Sequence, residues 1–218
     1  MERKASTASL LVQNVQAAKV DAIVEKHVVA TETEASRVLL VDLPFLTETI
    51  GSKTAKRHTR IAALVKISSS LAALAHAGDS LVSSRFDTTA VSTIVLFCRE
   101  EESKPDVNVI GNAFSLLSNL MYLGDFELVV QSGAPSLFVE LVCSDAVPRD
   151  VHAYAAAALG NLTADPYGAS CFTREEQERV IVALEVLLER RDTNVQLRTN
   201  ATRAIKNLQL RQSNGGCS

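Results

Sequence analysis

Apolar residues recur three and four positions apart along most of this chain, the spacing of one buried helix face. Leu10, Leu11, Val15, Ala18, Ala22 and Val29 make a broad stripe and predict an amphipathic helix over 6–30. Thr31 and Glu34 fit a capping box, in which side chain and backbone exchange hydrogen bonds at a helix start, and a helix is expected over 35–43. Pro44 breaks or restarts it, since proline removes a helix hydrogen bond and clashes with the preceding turn. A short helix then covers 45–50, and a long one is predicted over 53–77. Gly78-Asp79 reads as a stop followed by a start, because glycine suits a left-handed C-cap and aspartate an N-cap. A short helix to Phe86 and a second over 88–98 follow.

The next stretch repeats that order. A long helix is expected over 106–123, closed by Gly124-Asp125, then short helices at 126–132 and 134–143 divided by Gly133. Another long helix starts near Pro148 and ends at Ala164. Asp165-Pro166 reads as an N-cap with proline in the first turn, opening a helix to about Cys171. Thr173 and Glu176 form a second capping-box pattern, ahead of a helix to Glu189. The last long helix is expected over 193–210, with 212–218 as a flexible polar tail.

Aligned on their ends, the four long helices share columns. Leu74, Leu120, Leu162 and Leu208 are spaced 46, 42 and 46 residues apart. Three positions earlier stand Leu71, Leu117, Leu159 and Ile205, and seven earlier Ile67, Ala113, Ala155 and Ala201. The residue before each terminal leucine is Ala73, Asn119, Asn161 or Asn207. A period of about 40–47 residues with two or three helices is that of a stacked helical repeat, in which each unit buries its apolar face only against the next. Recurrent alanines fit a helix clasped closely by its neighbours.

The run VVQSGAPSLFVELVCSD, followed by YAAAALGNLTAD, resembles the armadillo repeat, and the helix endings NAFSLLSNL and NATRAIKNL are similar to that repeat's third helix. The resemblance is clear from about Asp79 to Leu210, weaker over 53–78 and absent as motif over 1–52. It implies an all-α, right-handed superhelical solenoid of three-helix repeats over 53–211, with 1–52 as N-terminal capping helices or a degenerate first repeat. In that family the third helices line a concave face, where asparagines hydrogen-bond the backbone of an extended peptide. One amide both donates and accepts, as a peptide unit requires. Carried over, the ladder falls on Asn119, Asn161 and Asn207, with Asn112, Tyr154 and Asn200 two turns earlier on the same face, and Tyr122 close by. Importin-alpha-type members add tryptophans four residues before each asparagine, to clamp basic peptides. Here those places hold Ser69, Ser115, Ala157 and Arg203, the chain has no Trp, and Arg203 would repel a basic peptide.

Composition narrows the class. Of 218 residues 47% are hydrophobic, enough for a core, and nine Gly and five Pro are too few for an all-β chain with many turns. A net charge of −3 argues against whole-protein binding to nucleic acid or a membrane surface. Cys98, Cys143, Cys171 and Cys217 form no CxxC, and two lie in apolar runs, as in a reduced intracellular protein. No signal peptide, membrane span or lipidation motif is expected, which suits a cytoplasmic protein, with the nucleus open as a second compartment. His27, His58, His76 and His152 lie on different elements without metal-site spacing, and Ser68-Ser69-Ser70 has no nucleophile-elbow context. Neither a catalytic site nor a cofactor is expected. The basic stretch 53–66 and the basic last helix read first as solvated faces.

The expected function is therefore a non-catalytic interaction scaffold or adaptor. An extended peptide, helix or folded domain of a protein partner would lie on Asn112, Ser115, Asn119, Tyr122, Tyr154, Asn161, Asn200, Arg203 and Asn207. Co-chaperone or exchange-factor-like gripping of a folded domain, or a subunit role in a larger assembly, are the alternatives.

Overall fold

In a computed structural model, residues 32–77, 83–100, 106–191 and 193–214 are described. The helix expected over 6–30, the capping pattern at Thr31, the Gly78-Asp79 stop and Cys217 lie outside them. The described residues are all-helical, with no strand among them.

Residues 32–37 are helical and pass through a π-turn, Val38–Asp42, into α1, Leu43–Gly51. The chain does not break at Pro44, which sits in the first turn of α1, where its missing N–H is tolerated. A π-turn is wider than an α-turn. It therefore lies where the chain must take up the proline ring. Next, α2 spans Arg57–Ala77, starting four residues later than expected, because Ser52 ends α1 in an extended conformation. A 3-10 turn, Ser83–Arg85, leads to α3, Thr88–Glu100.

The chain continues with α4, Val107–Tyr122, α5, Phe126–Gln131, α6, Ala134–Cys143, and α7, Arg149–Leu162. It ends with α8, Pro166–Ser170, α9, Arg174–Glu189, and α10, Val195–Asn214. The last helix thus runs into the segment expected as a tail. The caps follow local chemistry. Asp106 accepts from Asn108 N–H, Asp165 from Tyr167 and Gly168 N–H, and Thr173 with Glu176 completes a capping box. Gly124 and Gly133 have φ of 96° and 82°, a left-handed backbone that side chains disfavour. Asp125 stands at the N-cap of α5 but makes no capping bond, and its Oδ2 is buried without a hydrogen-bond partner.

Packing follows chain order in two layers. The long helices stack consecutively, α2 on α4, α4 on α7 and α7 on α10. A second layer stacks likewise, α1 on α3, α3 on α6 and α6 on α9, while α5 contacts α8. The sequence columns account for this stacking. Leu74, Leu120, Leu162 and Leu208 are all buried, as are the Leu71 and Ile67 columns, and they belong to one continuous core. A neighbouring column differs between the last two long helices. Ala153, Ala156 and Gly160 on α7, and Thr163 at its C-cap, are buried, whereas the matching Thr199, Thr202, Lys206 and Gln209 on α10 are exposed and polar.

Ion pairs link elements both within and between the layers. Arg60 is buried, lies over the Phe97 ring at 4.2 Å, and donates to Ile50 O at 2.6 Å and Glu100 at 2.7 Å. Lys53 also pairs with Glu100, Arg57 with Asp106, Lys66 with Asp42, Arg99 with Glu140 and Arg190 with Asp145. Four cations of the 53–66 stretch are thus paired within the fold and not left to solvent alone. No described helix is long and apolar enough to cross a membrane.

Candidate functional site

Each long helix turns its core columns inward and leaves a matching row outside. On α2 the outer row is Lys66, Ser69, Ala73 and His76, and on α4 it is Asn112, Ser115, Asn119 and Tyr122. It continues as Tyr154, Ala157, Asn161 and Ala164 on α7 and Asn200, Arg203, Asn207 and Leu210 on α10. Because the helices stack consecutively, the four rows form one stripe. All nine sequence-predicted binding residues lie on it, and all are half-buried or exposed.

Cross-helix contacts hold the stripe in register. Ser68 Oγ donates to Asn112 O at 2.9 Å, joining α2 to α4. The Asn112 amide donates to Asn108 O in its own helix. Tyr154 on α7 packs against Gly111 on α4, where an added Cβ would lie 3.1 Å from the ring. Arg203 reaches back from α10, and its Nη2 donates to Asn161 Oδ1 at 2.8 Å and, at 3.4 Å, to Ala157 O and Asn200 Oδ1. The guanidinium lies over Gly160, whose added Cβ would sit 2.8 Å from Nε. Asn207 donates to Gly160 O at 3.3 Å and Thr163 Oγ1 at 3.4 Å.

The three ladder asparagines are therefore not equivalent. Asn161 and Asn207 bond the neighbouring helix. The Asn119 side chain is half-buried and makes no hydrogen bond among the described residues. Beside it, Ser115 is exposed, and Tyr122 is 79% exposed. The four rows contain no Asp or Glu; Asp42 pairs with Lys66 at one end of the stripe, and Asp150 stands one turn before Tyr154.

Other reactive groups lie elsewhere. His152 is buried and its Nε2 lies 2.9 Å from Ser144 O. Burial holds its pKa below 6.5, so the ring is neutral at pH 7 and serves as a donor to that carbonyl. Burial raises the Cys143 thiol and pushes Cys171 up to about 12, so both are protonated and weakly nucleophilic. Among the described residues no three His, Cys, Asp or Glu side chains converge as a metal site. A cleft of about 600 Å³ opens between α1 and α3, lined by Pro44, Thr47, Glu48, Arg85 and Asp87.

Sequence reasoning missed the Arg60, Phe97 and Glu100 cluster and the Arg203 contact with α7. The available signal for the second was Gly160 in a helix otherwise rich in alanine, since a glycine there marks a close approach. No protein-family model matches the chain, and neither a curated protein nor a solved structure matches it.

Proposed function

We propose that this protein is a non-catalytic interaction scaffold, an armadillo-like solenoid whose long helices present a concave groove to an extended segment of a partner protein. The observation that carries the reading is the Asn119 amide, half-buried on the stripe with no hydrogen bond among the described residues. The amide reaches solvent, so an incoming peptide unit can take the donor and acceptor sites that water otherwise fills. Ser115 and Tyr122 flank it and supply further donors and acceptors. Consecutive stacking of the long helices and burial of the repeat columns support the solenoid reading. The groove would be largely preformed, because each row is held by contacts to its neighbour.

A photo-crosslinking residue at Ser115, compared with one at the exposed Leu96 on α3, tests the proposal. The expected result is a short partner segment captured at position 115 alone. A synthetic peptide of that segment should then bind the full chain, and bind more weakly to Asn119→Ala at unchanged melting temperature. Capture of a folded domain that no short peptide reproduces would favour an adaptor gripping that domain.

A further inference from the structure

We infer that the segment bound along this stripe is acidic and seats a carboxylate on Arg203; the inference rests on the groove reading above. Its basis is a difference in how cations are partnered. Lys53, Arg57, Arg60, Lys66, Arg99 and Arg190 all reach carboxylates of the fold. Helix α10 carries Arg198, Arg203, Lys206 and Arg211 and no Asp or Glu, and none of the four has an ion pair among the described residues.

Arg203 is set apart within that group. Its three acceptors are the amide and carbonyl oxygens of Asn161, Asn200 and Ala157. These orient the guanidinium but neutralise none of its charge. All three bonds use Nη2, and Nε and Nη1 make no hydrogen bond among the described residues. An arginine held in one geometry, with Nη1 to spare, can donate a charge-assisted hydrogen bond to one carboxylate oxygen while keeping its contacts to the fold. Gly160 leaves the space in which the guanidinium lies. Arg211, two turns further along the same face, is half-buried and shares a small dent with Thr163 and Asn207. It offers a second cation about 12 Å further along the helix. With no Asp or Glu in the rows of the stripe, nothing there competes for either guanidinium.

A peptide fits better than a nucleic acid. Beyond Arg203 the centre of the stripe is uncharged, being Asn112, Ser115, Asn119 and Tyr122. Neutral amides match a peptide backbone, whereas a phosphate chain needs cations along its length.

The test is selection of a random twelve-residue peptide library on the immobilised full chain, followed by fluorescence anisotropy with the selected peptides. The expected outcome is enrichment of Asp and Glu over the input library. Affinity should then fall about tenfold or more on Arg203→Gln and stay unchanged on Arg174→Gln, a cation on α9. Gly160→Ala, which crowds the guanidinium and keeps every charge, should also weaken binding. The melting temperatures of all three variants identify any loss due to misfolding. Selected peptides that are neutral or basic, yet still depend on Asn119, would overturn the acidic assignment and leave the groove intact. If no peptide is selected, both readings fail. A twelve-nucleotide single strand that displaces the acidic peptide and binds more tightly would overturn the inference in favour of nucleic acid.

Discussion

Arg203 on α10 donates to Asn161 on α7 at 2.8 Å, so a residue from one long helix fixes the amide orientation of the helix before it. The carbonyl end of Asn161 is occupied by that contact. Within this ladder the amide without a hydrogen bond among the described residues is that of Asn119, one long helix further back.

That contact predicts energetic coupling between its two ends. In a double-mutant cycle of Arg203→Gln and Asn161→Ala, urea unfolding should give a coupling energy of about 0.5–1.5 kcal/mol, the net worth of one hydrogen bond. Strict additivity of the two substitutions would mean that the bond contributes nothing in solution.

Asn119 and Asn207 occupy the same column and should behave differently. Asn207 bonds Gly160 O and Thr163 Oγ1, so Asn207→Ala should destabilise by about 0.5–1.5 kcal/mol. Asn119→Ala removes no bond among the described residues and should stay within about 0.5 kcal/mol of the parent. Equal losses by thermal or urea unfolding would refute this division of labour.

Glu100 predicts a pH dependence. The hydrogen bond from Arg60 holds its carboxyl below the ordinary value of 4.5, against the opposing effect of burial and with further help from Lys53. Because the folded-state value is the lower one, the unfolded chain takes up the proton first. The stabilisation is complete above pH 4.5 and is lost as pH falls from there through the folded value. Glu100→Gln should cost about 1–2 kcal/mol at pH 7, discounted for the part-exposed carboxylate. The gap to the parent should close below pH 4.5. A gap that stays constant through acid titration would remove Glu100 from the account.

Much of the helix order was legible from local chemistry. Helix punctuation depends on residues within one turn, so Asp165-Pro166, Thr173 with Glu176, and Gly133 could be read directly. The columns ending in Leu162 and Leu208 were legible because burial repeats with the helix. The π-turn before Pro44 was not, since the pattern says that proline disturbs a helix but not how the chain absorbs it. Nor was the extension of α10 to Asn214, where no residue between Leu210 and Asn214 forbids a helix.

The sequence by itself determined which faces of the long helices are buried, most of their caps, and which side chains share the outer row. These depend on neighbours three or four residues away, and helical geometry sets those in advance. Only the tertiary structure decided how the outer row is used. Whether an asparagine is open or occupied depends on a side chain more than forty positions distant, as Arg203 is from Asn161. Whether a cation is spare depends likewise on the nearest carboxylate in space. Arg60 finds Glu100 at the end of α3, and Arg203, on a helix without acids, finds only amide and carbonyl oxygens.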